Sequence, residues 1–369
     1  MTLKAKEYII KMLTTDNVFY RMDWQFGFGG SGVDKTTIKE VAKRANVSLS
    51  TVSRVINNNY PVSDKAREKV LQCIKDLNYQ PNGIARSLKN HKTNMIGFVV
   101  ADISNPFFMQ IAKAMESVIS TEEHSLVFCS SDGIPQKEQK LLEMLNEKRV
   151  EAIVIASSDP TGSFIKQLVE QGMPVVMIDR KIPGINTDVI VEDNFDAAYR
   201  LTEHLIKNGH RKIAIINVSL AISVGMERFD GFKEAFKHYG LSLKDHHVLQ
   251  GGFQRQDACA AVKKMITENK DDIPTALFCS NNIMAEGAII ALREFGLKIP
   301  EDISLVSFGS KDLLDLIEPK LTIASQNTYA LGSKAGQIIL DRLSGHYPYD
   351  YREYIIVSEI LIRDSVKTL

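Results

Sequence analysis

From about residue 94 to the C-terminus, short apolar runs of strand length alternate with amphipathic segments of helical period. The predicted strands are 95–101, 125–129, 152–156, 175–178, 189–191, 213–217, 276–279, 305–308 and 355–357, and the helices between them include 136–148, 196–208 and 282–295. Repeated β–α alternation produces parallel sheets, whose ligands bind at the carboxyl ends of the strands. The sequence therefore predicts two doubly wound α/β lobes with a cleft between them.

The region before these strands has a different pattern. Residues 36–89 consist of short helical segments separated by tight breaks, which predicts an all-α N-terminal domain. Thr37 and Glu40 have the spacing of a capping box, while Ser48 and Ser63 are predicted to cap the second and third helices. Two short helices joined by a tight turn can insert the second helix into the DNA major groove. A small bundle used for protein contacts is the alternative.

The charge distribution favours DNA over a protein partner for this domain. The chain carries 45 basic and 45 acidic residues, but residues 35–92 hold twelve Lys and Arg against four Asp and Glu. A basic head on an acidic body suits a nucleic-acid partner, although a solvated surface is the other interpretation. The apolar positions of the second helix predict that Leu49, Ser50, Thr51, Ser53 and Arg54 face outward.

Two ordered motifs in this region resemble the lac repressor (LacI/GalR) family. Residues 37–57, TIKEVAKRANVSLSTVSRVIN, are similar to the head signature of that family, and residues 78–88, NYQPNGIARSL, to its hinge helix. The resemblance continues through lobes of the periplasmic-binding-protein type to the C-terminus. It implies a sequence-specific DNA-binding regulator, expected to be a repressor and a homodimer, whose affinity for operator DNA is controlled by a small molecule.

The resemblance also implies which residues contact DNA. Leu49, Ser50 and Arg54 are expected to read bases, and Thr37, Ser48, Thr51 and Ser53 to hold phosphates, with Asn57 in the same surface. Ala85 and Leu88 are expected to enter the minor groove, where an inserted Leu88 would kink the duplex. Leu49 and Ser50 differ from the residues by which the lac repressor reads bases, so no operator sequence is predicted.

Polar and aromatic residues at predicted strand ends form the candidate effector site. These residues are Asn105, Phe107, Asp179, Arg180, Arg228, Phe253, Asn281, Asn282 and Gln326. A sugar needs polar partners for adjacent hydroxyls and an aromatic face for its C–H surface, and this set supplies both. Each residue is equally compatible with a strand-end or helix cap. By resemblance, Arg228 matches the arginine that grips effector oxygens.

Two departures from the family pattern bear on the effector. Many sugar-binding members carry Asp at the positions of Asn282 and Gly309, whereas Arg180, Arg228 and Lys311 keep positive charge nearby. Loss of carboxylates beside retained cations favours an anionic ligand. The sequence therefore predicts a sugar acid, with a neutral sugar or a protein co-regulator as alternatives.

Other functional classes are disfavoured. The four cysteines are scattered without metal-ligand spacing, and no hydrolase elbow, zinc-protease motif or Walker sequence is present, so no metal, cofactor or catalysis is expected. Without a signal sequence or membrane span, a cytoplasmic protein is expected and an exported sugar receptor is not.

The predicted domains follow from these patterns. They are an N-terminal extension of unknown role at 1–34, expected to be foreign to the natural protein, a helix-turn-helix domain at 35–80, a hinge helix and linker at 81–93, and an effector-binding and dimerisation domain at 94–369. The C-terminus has no heptad-rich tail, which favours a dimer over a tetramer.

Overall fold

The computed structural model describes residues 36–57, 60–79, 92–252, 254–311, 318–345 and 350–369. The chain forms two compact units that divide between residues 90 and 91. None of the helices among the described residues is long and apolar enough to cross a lipid bilayer.

The described residues of the first unit form three helices, α1 Ile38–Ala45, α2 Leu49–Asn57 and α3 Asp64–Asp76. Their inward faces form one apolar core, which consists of Val41, Ala42, Ala45, Val52, Val55 and Val70. The spacing of these residues along α1 and α2 is that of one helix face, so burying them forces the remaining positions of α2 outward.

The predicted side-chain caps of α1 and α2 are confirmed, whereas for α3 only the predicted position of the cap residue is. Thr37 Oγ1 accepts from the Glu40 amide at 3.4 Å, and Glu40 Oε2 accepts from the Thr37 amide at 2.6 Å. Ser48 Oγ accepts from the Thr51 amide at 3.1 Å. Ser63 occupies the N-cap position of α3, but its side chain makes no capping bond. Its carbonyl oxygen accepts from the Ala66 amide at 2.9 Å instead.

This difference gives a matched pair of substitutions. Thr37→Ala should destabilise α1 by about 1 kcal/mol because the Glu40 amide loses the side-chain oxygen that caps it. Ser63→Ala should change little. Hydrogen exchange of the α1 and α3 amides in the full chain measures both effects, and equal losses of protection in the two variants would contradict the assigned caps.

The second unit contains two α/β lobes. The strands are β1 Met95–Val100, β2 Ser125–Ser130, β3 Ala152–Ile155, β4 Val175–Ile178, β5 Asp188–Glu192, β6 Ile213–Asn217, β7 Val248–Gln250, β8 Ala276–Cys279, β9 Ser304–Gly309, β10 Thr322–Ser325, β11 Glu353–Ile356 and β12 Glu359–Leu361. The α-helices are α4 Pro106–Ile119, α5 Pro135–Glu147, α6 Ser163–Glu170, α7 Asn194–Lys207, α8 Ser223–His238, α9 Arg255–Glu268, α10 Asn282–Glu294 and α11 Thr328–Ser344.

Each lobe is built on one six-stranded sheet. The strand order is β11-β5-β4-β3-β1-β2 in the first lobe and β12-β10-β9-β8-β6-β7 in the second. All pairs are parallel except β10 with β12. Both sheets have an apolar core on each face, which explains why their strands are continuous apolar runs. The predicted pair of doubly wound lobes is confirmed.

The chain passes between the lobes three times, after β5, β10 and β11. The carboxyl ends of β1, β4, β6 and β8 lead into loops that face the same cleft. This arrangement brings residues far apart in sequence to one site.

Candidate DNA-binding surface and effector cleft

Helix α2 presents a polar surface to solvent. Ser48, Ser50 and Arg54 are exposed, and the Leu49 side chain is 45% exposed although it is apolar. Thr51 and Ser53 are half-buried. Ser48 Oγ lies 2.7 Å from Ser50 Oγ and 2.9 Å from Thr51 Oγ1, which gathers three hydroxyls at the helix N-terminus. Free backbone donors and the helix dipole make such an end suitable for a phosphate.

Arg54 has an aromatic neighbour that sequence reasoning missed. Its guanidinium carbon lies 5.5 Å from the ring centroid of Tyr60, and Tyr60 is itself 65% exposed. A cation–π contact of this kind restricts the arginine at low energetic cost. The side chain of Asn57 and the residues Ala85 and Leu88 lie outside the described part of the chain.

The candidate effector residues surround one cavity of about 50 Å³ between the lobes. Eight of the nine predicted residues line it, namely Asn105, Phe107, Asp179, Arg180, Arg228, Asn281, Asn282 and Gln326. Phe253, the ninth, lies outside the described residues. Asp102 after β1 and Phe108 in α4 line the same cavity, as do Ile222 and Val224 beyond β6, which were not predicted.

Two of these residues are helix caps as well as effector-site residues, the two interpretations that the sequence left open. Asn105 Oδ1 caps α4 by accepting from the Phe107 amide at 3.1 Å, and Asn281 Oδ1 caps α10 by accepting from the Met284 amide at 2.8 Å. Asn282 Nδ2 lies 3.4 Å from Asn105 Oδ1 and bridges the lobes. These asparagines are helix caps and cavity walls at once.

Arg228 is the most constrained cation of the cleft. It is 2% exposed, its Nε donates to Asn194 Oδ1 at 2.8 Å, and its Nη1 donates to the Ser280 carbonyl. The guanidinium carbon lies 3.8 Å from the centroid of the Phe308 ring. Burial lowers the pKa of Arg228, while nearby carboxylates oppose that shift.

A buried carboxylate lies beside each of the two arginines, although the sequence indicated that the cleft had lost carboxylates. Asp179 Oδ2 lies 3.4 Å from Arg180 Nε, and Glu192 Oε2 lies 3.9 Å from Arg228 Nη2. All four side chains are less than a tenth exposed. Glu192 is the last residue of β5 and carried no sequence signal of its own. The cleft has therefore not lost its negative charge. Lys311, the third cation considered, is exposed and does not line the cavity.

Glu192 should make the stability of the protein depend on pH. Burial raises its pKa to about 7, against opposing effects of Arg228 and Gln326. Because the folded pKa exceeds the ordinary value, the folded state holds this proton more tightly, so stability is lost as pH rises from about 4.5 to 7. The loss should total about 3 kcal/mol. We expect the Tm of E192Q to rise relative to that of the original chain over this range, and a constant difference would contradict the assignment.

One cluster outside the cleft has metal-ligand chemistry. The ligand atoms of His246, His247 and Asp272 lie within 4.8 Å of one another. However, Lys212 and Lys244 contact the same Asp272 carboxylate at 2.8 and 2.5 Å, and they already supply positive charge there. This arrangement is a surface ion-pair network.

Comparison with known proteins decides the family. Residues 37–82 match the model described as "Bacterial regulatory proteins, lacI family", and residues 93–353 match "Periplasmic binding proteins and sugar binding domain of LacI family". The chain belongs to the LacI family. It is therefore a DNA-binding transcriptional repressor with a ligand-binding body, which confirms the predicted family and a regulatory rather than enzymatic function.

Individual LacI-family proteins are similar over almost their full length. The HTH-type transcriptional repressor PurR of Haemophilus influenzae strain PittEE is 38% identical over 337 residues, 90% of this chain and 99% of that protein. The structure of a CelR transcriptional regulator in complex with cellobiose is 27% identical, with a TM-score of 0.66, and covers 89% of this chain and 99% of its own. The lac repressor dimer bound to operator has a TM-score of 0.77 at 24% identity, over 90% and 99% of the two chains.

Proposed function

We propose that this LacI-family repressor binds operator DNA as a homodimer and that a small carbohydrate-like effector, bound between its lobes, controls this binding. The observation that carries the proposal is the buried Arg228, whose contacts come from both lobes around a cavity lined by eight of the predicted effector residues. The lac repressor structure, a dimer on operator, supports the same assembly by its fold.

In the proposed DNA complex, α2 lies in the major groove. Leu49, Ser50 and Arg54 read base edges, since they are exposed on one face of the helix. Thr37, Ser48, Thr51 and Ser53 contact phosphates around the helix N-terminus. From the resemblance to the family, we expect Asn57, Ala85 and Leu88 to contact the DNA as well.

For the effector we propose a sugar acid. Phe107 offers an aromatic face, the asparagines offer hydroxyl partners, and Arg180 and Arg228 offer positive charge. At neutral pH Glu192 is partly protonated, so the two arginines face less than two full negative charges. The cellobiose held by the related CelR regulator supports a carbohydrate, and a neutral sugar is the second candidate.

Effector binding is expected to move the lobes. A cavity of about 50 Å³ holds only a few water molecules, so a sugar cannot enter without opening the cleft. The lobes are bridged at the cleft by Lys181, whose amide donates to Ser223 Oγ at 3.0 Å and whose Nζ lies 3.2 Å from Glu227. A ligand that favours one lobe arrangement shifts the equilibrium by its difference in affinity.

The first lobe also holds the segment by which the chain enters the body. Glu151 Oε1 accepts from the amides of Thr93 and Asn94, both at 2.7 Å, and Thr93 Oγ1 donates to the Arg149 carbonyl at 2.6 Å. A rotation of this lobe therefore carries residues 93–94 with it. This is the route by which we expect lobe movement to reach the DNA-binding unit.

A thermal-shift screen of the full chain tests the effector class. The panel contains sugar acids, neutral sugars, sugar phosphates and purine bases. A ligand at about 100 times its Kd adds about 2.7 kcal/mol of stability, which raises Tm by several degrees. A shift with sugar acids supports the proposal, whereas a shift with neutral sugars or purines alone contradicts the acid. No shift with any compound contradicts a small effector and favours a protein co-regulator.

A further inference from the structure

Two buried atoms beside the effector cavity have no hydrogen-bond partner among the described residues. They are Arg228 Nη2 and Glu192 Oε1. The two side chains are 3% and 2% exposed, and Nη2 lies 3.9 Å from Glu192 Oε2. At this distance the groups attract each other electrostatically without forming a hydrogen bond. In a region shielded from water, each of them is only partly satisfied.

The surrounding contacts show which atoms remain available. Arg228 Nε and Nη1 are used by Asn194 and by the Ser280 carbonyl, so Nη2 is the nitrogen left for a ligand. Glu192 Oε2 accepts from Gln326 Nε2 at 2.5 Å. Arg228 and Gln326 line the cavity, and Glu192 contacts both of them from behind its wall. Glu192 therefore acts on a ligand through these two residues.

We propose that Glu192 is an internal counter-ion of Arg228 that an acidic effector replaces, and that Glu192 takes up one proton from solvent when the acid binds. This inference rests on the proposed sugar-acid effector. The carboxylate of the acid hydrogen-bonds to Arg228 Nη2, and Glu192 stays beside Gln326 as a neutral acid, with Oε1 free to carry the proton. The net change is one bound anion and one bound proton.

The charges around Glu192 favour this exchange. Arg228 is the cation that stabilises its charged form, whereas Asp179 and Asp193 disfavour that form, and Glu227 reaches the same region through Asn194 at 3.2 Å. Burial already raises the pKa of Glu192 to about 7. When a ligand carboxylate neutralises Arg228, only the unfavourable charges remain, so the pKa of Glu192 rises further.

Linkage then gives the pH dependence of binding. Below about pH 7 the affinity for an acid should be constant, and above it the affinity should fall about tenfold per pH unit. E192Q has neither the negative charge of Glu192 nor its titratable group. It should bind the same acid with an affinity independent of pH, and at pH 8.5 at least about tenfold more tightly than the original chain does. The affinity for a neutral sugar should not depend on pH in this way, because a neutral sugar does not neutralise Arg228.

Isothermal titration calorimetry of the full chain tests the exchange from pH 6 to 8.5. The probes are D-gluconate, D-galactonate, D-galacturonate and 2-keto-3-deoxy-D-gluconate, with D-glucose and D-galactose as neutral counterparts. Buffers of different ionisation enthalpy report the protons taken up. E234Q is the matched control, since it removes a carboxylate from the same helix α8 that pairs with Lys237 and does not line the cavity.

The possible results distinguish the proton exchange at Glu192 from the proposed acidic effector on which it rests. Uptake of about one proton near pH 8, lost in E192Q but kept in E234Q, is the expected result. An acid that binds equally well from pH 6 to 8.5, or whose pH dependence persists in E192Q, overturns the exchange and leaves the acidic effector in place. Binding of neutral sugars alone, or of none of the probes, overturns the acidic effector and the exchange together.

Discussion

Arg228→Met should weaken effector binding by about 100-fold or more. Removing one partner of a buried, hydrogen-bonded charge costs about 2–5 kcal/mol, and here it also removes the donor that we assign to the ligand. The measurement is the Kd of the compound found by the thermal-shift screen, together with the shift in Tm that it produces. In R228M the ligand-induced shift should vanish at concentrations that saturate the original chain.

Loss of folding must be distinguished from loss of binding. R228M leaves Glu192 buried without its cation, so that Glu192 must take up a proton on folding, which should lower Tm by itself at neutral pH. The double variant R228M/E192Q removes both charges, so we expect it to recover part of the Tm without recovering effector binding. Arg293→Met, an exposed arginine on α10, is the control. If R228M bound the effector as the original chain does, the site would be wrongly assigned.

Arg54→Ala should reduce affinity for the operator by about 100-fold. A bidentate contact to a base contributes about 1–3 kcal/mol, and a homodimer makes each contact twice. The operator is first selected from random-sequence DNA with the unaltered chain, and Kd values are then compared at one fixed salt concentration.

Lys69→Ala is the control for charge. Lys69 is exposed on α3, outside the helix that we place in the groove, so it tests the loss of one positive charge from the same unit. We expect K69A to weaken specific and non-specific DNA binding by similar, small factors. Equal losses of specific affinity in R54A and K69A would show that Arg54 does not read the operator.

Local patterns predicted much of the fold and of the site. The capping box at Thr37 and the alternation of strands and helices are readable because each depends on a few neighbouring residues. The effector residues could be proposed since strand ends of a parallel sheet meet at one edge. The structure brings all eight of the described ones to one cavity.

The features that were missed depend on distant contacts. Glu192 and Gln326 are 134 positions apart in the sequence, and the charge balance of the cleft is visible only when their sheets are assembled. Strands β7 and β12 span three residues each at the edges of their sheet, too short for a periodic pattern. Tyr60 gave no signal because its contact with Arg54 joins two residues that no local pattern pairs.

The most direct test of the account is the affinity of the full chain for its selected operator with and without the saturating effector, at the same salt concentration. Coupling between the two sites predicts a change in Kd of about 5- to 150-fold, which R228M should abolish while still binding the operator. An unchanged Kd in the presence of an effector that demonstrably occupies the cleft would contradict allosteric control by this site.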